Sequence, residues 1–284
     1  AEIGGRAPGS MPGDARNLEE EGVVIAPRLL FSKGDEQFEE LERVLRESRF
    51  PSRSVAENLA DLRAQAAANH FGVRAVEELV AEFGESSLRG GMRALFRRSS
   101  QALANLLRDK NDASWSADDV MDDGTAVSVK IRQAGEGLDF DFRESGSVHP
   151  GNLNATEAVL RSAVLYALRL WVDEDLPLNE GLMERVTVRG EGTFLSPVFP
   201  DEASDCPAVV GGNVETSQRI VEVLLRAFGV GAESQGTMNN FLFGNERLGY
   251  YETIGGGSGA TPKQAGASGV HVHMTNTAIT DPEV

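Results

Sequence analysis

The feature that most constrains this chain is its glycine-dense end. Residues 249–259 contain five glycines, and two histidines, His271 and His273, follow closely. Glycine lets the backbone adopt positive φ and approach a ligand closely. Such a segment cannot fill a core with side chains, so it predicts long loops around a polar site. Glu252, His271 and His273 are the groups that could transfer protons there, and we predict them as catalytic.

Composition excludes several classes of function. The formal net charge of −17 and the pI near 4.7 disfavour nucleic acid and anionic membrane surfaces as partners, because both attract Lys and Arg. No apolar run approaches the ~20 residues that a membrane helix needs. The single cysteine, Cys206, excludes an intrachain disulfide and a Cys-x-x-Cys metal site. A reducing, cytoplasmic compartment is therefore expected.

Hydrophobic spacing divides the chain into two parts. After a loop over residues 1–22 and a short strand at Val23–Ile25, residues 35–108 show the helical period. One helix is predicted to begin at the capping box of Ser54 and Glu57, and another to end at Gly84.

Residues 113–284 mix strands, helices and loops. Alternating apolar residues predict a hairpin over 127–142, and helices are predicted at about 156–171 and 214–228, the second closed by Gly229. Short strands are predicted near 186–188, 208–210, 241–243, 250–254 and 270–274. The fold class is therefore α+β: a helical N-terminal part (1–112), then a mixed or antiparallel sheet region with packed helices and long Gly-rich loops (113–284).

The two clustered histidines leave alternatives open. On a strand, His271 and His273 would share one face and could bind a metal if Glu252 or Asp281 completed the set, or could act in proton transfer. They could equally be structural, hydrogen-bonded histidines. We assign no metal ligand. The segment from Gly255 to Ala260 formally matches a dinucleotide fingerprint, but the following Pro262 and glycines prevent the helix that such a site requires.

Two further segments suit small polar ligands. Gly211-Gly212-Asn213 is predicted to turn into a helix N-terminus, where Asn213 is either an N-cap or a ligand-binding amide. Gln218 and Arg219 follow in the first turns. The 234–240 segment is rich in amides and hydroxyls, which predicts Asn239 and Asn240 as substrate-binding residues; the alternative is a loop packed by its own side chains. His70, His149 and Cys206 are isolated in the sequence.

These segments together resemble the hydantoinase B/5-oxoprolinase family, specifically the B-type half of ATP-dependent 5-oxoprolinases. The most distinctive are Val209-Val210-Gly211-Gly212-Asn213-Val214-Glu215-Thr216-Ser217-Gln218-Arg219 and Ser234-Gln235-Gly236-Thr237-Met238-Asn239-Asn240. The others are residues 4–12, 58–69, 122–124, 151–154, 176–181, 249–253 and 273–283, so that the resemblance extends over nearly the whole chain.

The resemblance implies a reaction and its partners. An A-type domain or subunit would bind ATP and Mg and phosphorylate the oxygen of a cyclic amide such as 5-oxoproline, and the B-type part would support ring opening. From the residues themselves, and not from the family, we predict substrate-binding roles beside the catalytic Glu252, His271 and His273; the predicted substrate-binding residues are Asn213, Gln218, Arg219, Asn239, Asn240 and Asn276. An oligomer is expected.

Two departures from the family pattern bear on these expectations. Residues 141–145 read Asp-Phe-Arg-Glu-Ser where the family has Asp-Phe-Ser-Gly-Thr, so substrate specificity could differ. The residues that hold a divalent metal in the family precede Ala1, and the family continues beyond Val284, so we expect an internal fragment that is inactive alone. An N-methylhydantoinase B or ketone carboxylase subunit, and a non-catalytic scaffold for an ATPase, are the alternatives.

Overall fold

The computed structural model describes residues 3–7, 12–110, 112–245, 248–273 and 275. Two compact units make up the chain. The first comprises Ala1–Arg97, Pro150–Asn152 and Phe199–Val210, and the second comprises Arg98–His149, Leu153–Val198 and Gly211–Val284. The boundary predicted after residue 112 lies within the second unit. Helices, one mixed sheet and antiparallel hairpins together form the predicted α+β class.

The first unit is mainly helical. It contains α1 (Leu18–Glu21), a short hairpin of β1 (Phe31–Ser32) and β2 (Asp35–Glu36), α2 (Glu39–Glu47), α3 (Val55–Phe83) and the first turns of α4 (Glu85–Leu107). The apolar stripe of α2 packs on the start of α3 in a small core, formed by Phe38, Leu41, Leu45, Val55 and Leu59.

In this unit the predicted helix boundaries are confirmed, whereas two predicted strands are absent. The helix after Ser54 is confirmed, although the Ser54 side chain makes no capping hydrogen bond, and Gly84 ends it with a φ of +79°. The strands predicted at Val23–Ile25 and Ala208–Val210 are wrong. A buried carboxylate explains the second segment: Glu21 accepts the N–H groups of Val209 (2.9 Å) and Val210 (2.8 Å), contacts that a β-ladder would have used. Burial raises the pKa of Glu21.

The second unit is built on a four-stranded sheet. Its strands are β3 (Ser114–Val120), β4 (Ala126–Ala134), β5 (Gly137–Asp141) and β6 (Val186–Arg189), in that order; β3, β4 and β5 pair antiparallel and β6 joins β5 in parallel. The alternation in β4 is confirmed, because Val127, Val129 and Ile131 are fully buried while the residues between them are more exposed.

Two helices cover this sheet. They are α5 (Glu157–Val172) and α6 (Ser217–Phe228), which pack on each other, and α6 also packs on β3 and β4. Thr156 caps α5 through its side chain. Gly229 ends α6 with a φ of +65°, as the sequence predicted. Phe140, Phe142 and Phe194 are the largest fully buried side chains of this core.

The remaining segments follow α6. A hairpin of β7 (Asn239–Gly244) and β8 (Gly249–Ile254) confirms two predicted strands. The strand predicted over 270–274 is wrong for its described residues: residues 270–273 are irregular, and His273 has a left-handed φ of +57°. The two histidines therefore do not share a strand face. In the described residues, no helix is long and apolar enough to cross a membrane.

Candidate functional site

The site is organised by an irregular turn that leads into α6. Gly212–Thr216 forms a single π-helical turn, and the helical backbone already begins at Val210. The prediction that Asn213 caps a helix N-terminus is therefore wrong; its side chain is exposed on the π turn. Gly212 lies directly against the Asn154–Ala155 backbone, which leaves no space for a Cβ. Single π turns within helices often occur at functional sites because they redirect side chains.

One face of this helix carries three charged residues at helical spacing. Glu215, Arg219 and Glu222 point towards the loop over residues 233–238 and the turn after β3. Glu222 is only 2% exposed, and it accepts hydrogen bonds from the N–H (2.7 Å) and the hydroxyl (2.9 Å) of Ser234. Glu215 accepts the Thr237 hydroxyl, and burial raises its pKa. The helix thus holds the amide-rich loop by buried carboxylates.

Arg219 is held between aspartates of β3 and its turn. Its guanidinium lies 3.1 Å from the Asp119 carboxylate and 3.7 Å from that of Asp122. Burial acts to raise the pKa of Asp119, but the Val120 N–H and Arg219 outweigh it, and the pKa lies below its usual value. The guanidinium of Arg219, predicted to bind substrate, is therefore already engaged by protein carboxylates.

His273 is the imidazole that the fold encloses. Both ring nitrogens are buried and have no hydrogen-bond partner among the described residues. The ring meets that of Tyr166 edge-on at 6.0 Å. Burial lowers the pKa of His273, and the Glu222 carboxylate partly opposes this shift. A neutral imidazole with two unpaired nitrogens can accept a proton from one group and donate a hydrogen bond to another.

A second contact fixes the same segment to α6. The amide of Gln218, itself 2% exposed, donates to the Thr275 hydroxyl at 2.7 Å. Gln218 was predicted to bind substrate directly; here its Nε2 holds the segment that carries His273. The left-handed φ of His273 (+57°) is uncommon for a residue with a Cβ, and such strain is concentrated at functional sites.

The other two predicted catalytic residues lie in different surroundings. Glu252 is exposed on β8 and accepts the Tyr250 hydroxyl at 2.8 Å. That contact raises the pKa of Tyr250. His271 is exposed in the irregular segment. Among the described residues, no hydrogen bond or ion pair joins Glu252 to His273, so of the three predicted catalytic residues the fold encloses only His273.

The predicted amide residues are split between surface and interior. Asn240 is half-buried and its Oδ1 accepts the Thr253 hydroxyl at 2.8 Å, which leaves its amide nitrogen for other partners. Asn239 is exposed, and its Nδ2 donates to the Gln235 side-chain oxygen Oε1 at 3.4 Å. Asn276 lies outside the described residues.

The glycine-rich segment packs on protein backbone and on Gln235. A Cβ at Gly256 would overlap the Gln235 side chain, and one at Gly257 would meet the Ala267 carbonyl. Gly257 and Ser268 form an isolated β-bridge. Beside these close contacts lies a cavity of about 460 Å³. It is lined by small residues and by two longer polar side chains: Glu233, Ser234, Gln235, Gly256, Gly257, Ser258, Gly266, Ala267 and Ser268. The glycines thus shape a polar cavity, partly by packing and partly by lining it.

One imidazole–carboxylate pair was missed by the sequence analysis. His149, described there as isolated, places Nε2 2.6 Å from the Asp123 carboxylate. Its backbone N–H donates to the Asn154 Oδ1 at 2.7 Å, next to the backbone that packs on Gly212. The Thr125 N–H and His149 hold the pKa of Asp123 below its usual value. The available signal was the Asp-Asp-Gly motif at 122–124, but sequence alone does not pair it with a residue 26 positions away.

No metal centre is evident in the part of the chain that the structure describes. There, no group of three or more His, Cys, Asp or Glu side chains is placed as the ligands of one ion would be. Cys206 is buried, and its thiol donates to the backbone carbonyls of Pro200 (3.0 Å) and Glu202 (3.3 Å). Burial raises the pKa of this thiol, which disfavours the thiolate that metals and electrophiles need.

Comparison with solved structures identifies the fold. The ATP-dependent caprolactamase from Pseudomonas jessenii superposes with a TM-score of 0.79 over 94% of this chain and 48% of that chain, at 23% identity. An acetone carboxylase structure superposes with a TM-score of 0.68 over 94% of this chain and 39% of that chain, at 17% identity. The architecture is therefore one that ATP-dependent enzymes of these two kinds contain.

Sequence comparison gives the family. The chain belongs to the hydantoinase B/oxoprolinase family, whose model matches residues 1–284. It is 40% identical to 5-oxoprolinase 1 of Arabidopsis thaliana, 40% to the 5-oxoprolinase of Dictyostelium discoideum and 38% to that of Saccharomyces cerevisiae. The alignments cover 100%, 100% and 92% of this chain. They cover only 24%, 22% and 22% of those relatives, so the chain spans about a quarter of their length.

Proposed function

We propose that this chain is part of an ATP-dependent cyclic-amide hydrolase that opens 5-oxo-L-proline to glutamate. Three relatives named 5-oxoprolinase are 38–40% identical to it over almost its entire length. The caprolactamase subunit beta of Pseudomonas jessenii, a relative named for another lactam, is 26% identical over 66% of the chain. The family membership carries the proposal, and the enclosed imidazole at α6 supplies a site where the chemistry can take place.

The chemistry explains why ATP is required. A five-membered lactam keeps the full resonance of an amide and has little ring strain, so its carbonyl carbon is a poor electrophile. Transfer of the γ-phosphoryl group to the lactam oxygen gives an imidate-like species and ADP. Water then adds to the ring carbon, and the C–N bond breaks as the nitrogen takes a proton, which opens the ring to an acyl phosphate. A second water hydrolyses this acyl phosphate to the glutamate carboxylate and phosphate.

ATP and Mg would be bound by a partner, an A-type ATPase domain or subunit. The described residues of this chain support that division of labour, because the glycine-rich 255–260 segment opens no helix and so lacks the N-terminus that a pyrophosphate would meet. The partner would supply the activated lactam, and this chain would bind it and manage the water and its protons.

His273 is the group that we assign to proton transfer. Its buried nitrogens have no hydrogen-bond partner among the described residues, and its lowered pKa keeps it neutral near pH 7, so it can take a proton from the attacking water. The Glu222 carboxylate, whose charge opposes that lowering of the pKa, would stabilise the imidazolium that forms. Gln218 positions the segment through Thr275.

For the other predicted site residues, exposure and existing contacts decide how each could act. Glu252 and His271 are exposed, so each would act only where substrate or a partner domain covers it. Asn213, Asn239 and Asn240 present amides at the π turn and at the start of β7, and they remain substrate-binding candidates. Arg219 would have to leave its aspartates to bind a substrate carboxylate.

The test is steady-state kinetics of the complete natural polypeptide with its ATPase partner. We expect ATP hydrolysis that depends on 5-oxoproline and yields glutamate in equal amount. The substitution His273→Gln, which keeps a hydrogen-bonding side chain but removes the proton acceptor, should lower kcat by about 10²–10⁴-fold. The matched control is His70→Gln, since His70 is an exposed imidazole on α3.

Each other outcome points to a different function. ATP turnover that requires acetone and bicarbonate, and ignores every lactam, would identify a ketone carboxylase. Turnover with hydantoins alone would identify a hydantoinase. Full lactam-dependent activity in the His273→Gln variant would leave the family assignment intact and remove His273 from the mechanism.

A further inference from the structure

The long helix α3 carries an apolar seam that extends beyond the core on which the helix starts. The seam residues alternate in steps of three and four, which is the spacing of a coiled-coil seam, through Leu59, Leu62, Ala66, Asn69, Val73, Val76, Val80 and Phe83. Leu59 is buried on α2. Val73, Val76 and Phe83, by contrast, are 53–56% exposed, and Leu79 beside them is 40% exposed.

The start of α4 repeats the pattern. Leu88, Met92 and Leu95 follow at steps of four and three, and Met92 and Leu95 are 63% and 48% exposed. Only Gly84 separates α3 from α4, and among the described residues the two helices do not pack against each other along their length. Neither seam can therefore cover the other within one chain.

Such a pair of seams is unfavourable in water. Helices gain most of their stability in proteins from packing an apolar face, and here that face is exposed to solvent. The six exposed side chains would bury roughly 60–120 Å² each, or about 500 Å² together. A standard interface buries ~800 Å² per partner, a little over half of it apolar. The seams are thus about as large as the apolar part of one stable interface.

Charge indicates what covers them. The end of α3 carries Glu77, Glu78 and Glu82 with one arginine, Arg74. The start of α4 carries Arg89, Arg93 and Arg97 with one glutamate, Glu85, which pairs with Arg89. Within the described part of the chain, the three α3 glutamates and Arg93 and Arg97 form no ion pair. The two exposed seams are therefore flanked by opposite charges, acidic at the end of α3 and basic at the start of α4.

That pattern is self-complementary. In a two-fold interface the same patch is used by both copies, so a patch with opposite halves can pair each half with the other half of its partner. We propose that residues 73–97 form the interface with a second copy of this chain. In it, α3 of one copy packs along α4 of the other, with the apolar seams inside and the opposite charges at the rim.

The test is charge reversal in the complete natural polypeptide, with the molecular mass measured by analytical ultracentrifugation or mass photometry. One variant, Glu78→Arg with Glu82→Arg, makes both helices basic. The other, Arg93→Glu with Arg97→Glu, makes both acidic. Each variant alone should weaken the self-association by about tenfold or more, because like charges then face each other twice in a two-fold interface.

Mixing the two variants is the decisive step. A basic α3–α4 pair facing an acidic one restores both attractions, so the mixture should form a heterodimer near wild-type affinity, detectable by a mass tag on one variant. A matched control, Glu39→Arg with Glu40→Arg on α2, changes the same charge off the seam and should leave the mass distribution unchanged.

Two results would overturn the proposal. If the wild-type protein is monomeric at concentrations well above those of the cell, a second copy of this chain does not cover the seams. If the protein is a dimer but neither variant changes it, or if the mixed variants fail to associate, another segment or partner lies on these helices. The masses of the single variants and of their mixture do not depend on catalysis, so this test is independent of the proposed function.

Discussion

Substitution of Gly212 by alanine tests how the π turn is held. An added Cβ would overlap the carbonyl oxygen of Asn154 and lie 2.9 Å from the Cα of Ala155, whereas ordinary contact begins at about 3.4 Å. Both neighbours are backbone, so no flexible side chain can move aside. The turn or the 154–155 segment would have to shift by at least about half an ångström.

The expected cost follows from two opposing terms. Overpacking in a dense interior costs about 1–3 kcal/mol, and the upper end applies here because the obstacle is main chain. Alanine regains up to about 1 kcal/mol through its better helix propensity. We therefore expect Gly212→Ala to lower the free energy of unfolding by about 2 kcal/mol, which corresponds to a fall in Tm of about 4–8 °C for a unit of this size.

Gly72 is the matched control. It lies inside α3, and a Cβ there would meet nothing within 4 Å. Gly72→Ala should therefore show the propensity term alone and raise stability by up to about 1 kcal/mol. Differential scanning calorimetry gives the Tm of both variants. Hydrogen exchange of the α6 amides shows whether the loss in Gly212→Ala is local to the helix.

An unchanged or raised Tm for Gly212→Ala would refute the reasoning. It would mean that the Asn154–Ala155 backbone does not press on the π turn, and that the turn has another origin. An equal fall in both alanine variants would point to a general intolerance of glycine replacement.

Three more outcomes follow from the charges. Burial lowers the pKa of His273 below 6.5, so below about pH 6.5 the unfolded chain binds a proton more readily than the folded one, and stability should fall. In the His273→Gln variant, the denaturant midpoint should change less with pH in this range. Arg143 lowers the pKa of Asp141 to about 2, so the pair stabilises the fold above pH 4 and loses this effect between about pH 4 and 2. The stabilisation lost should be under ~1 kcal/mol, because the pair is open to solvent. In the Arg143→Gln variant, the free energy of unfolding should no longer show this fall. Arg219→Gln should lower Tm, since it deprives Asp119 of a partner, and a raised KM with an unchanged Tm would instead show substrate binding.

Much of the sheet could be predicted because its signal is local. Strict alternation from Val127 to Ile131 requires one face to be buried, and a four-residue turn joins β4 to β5 whatever lies around it. The capping residue Thr156 and the closing Gly229 are local signals as well. The residues that determine such elements lie within a few positions of one another, so the sequence alone is enough to predict them.

The site could be predicted only in part because its contacts are long-range. The sequence pointed to His273 and Gln218 but not to their partners Tyr166 and Thr275, which chain topology brings together. The segment at Ala208–Val210 looked like a strand because it is apolar, yet its N–H groups bind the Glu21 carboxylate, and only the fold reveals that acceptor. The strand propensity of such a segment is overridden when a buried side-chain acceptor takes its backbone N–H groups.

Under the proposed function, the charge balance of the site bears on which lactam would bind. 5-Oxoproline carries a carboxylate, and caprolactam carries none. Asp119 and Asp122 are tethered beside Arg219, so a free substrate carboxylate must compete with them at a much higher effective concentration. Recognition would then rest on neutral donors, and the cavity beside the glycine-rich segment offers them in Ser258 and Ser268. Neutral donors can hydrogen-bond to a carbonyl oxygen, so they do not require a carboxylate on the substrate. A site built in this way would select for the cyclic amide that all these substrates share, and the family could change its lactam by altering the cavity lining while leaving the α6 ion pairs intact.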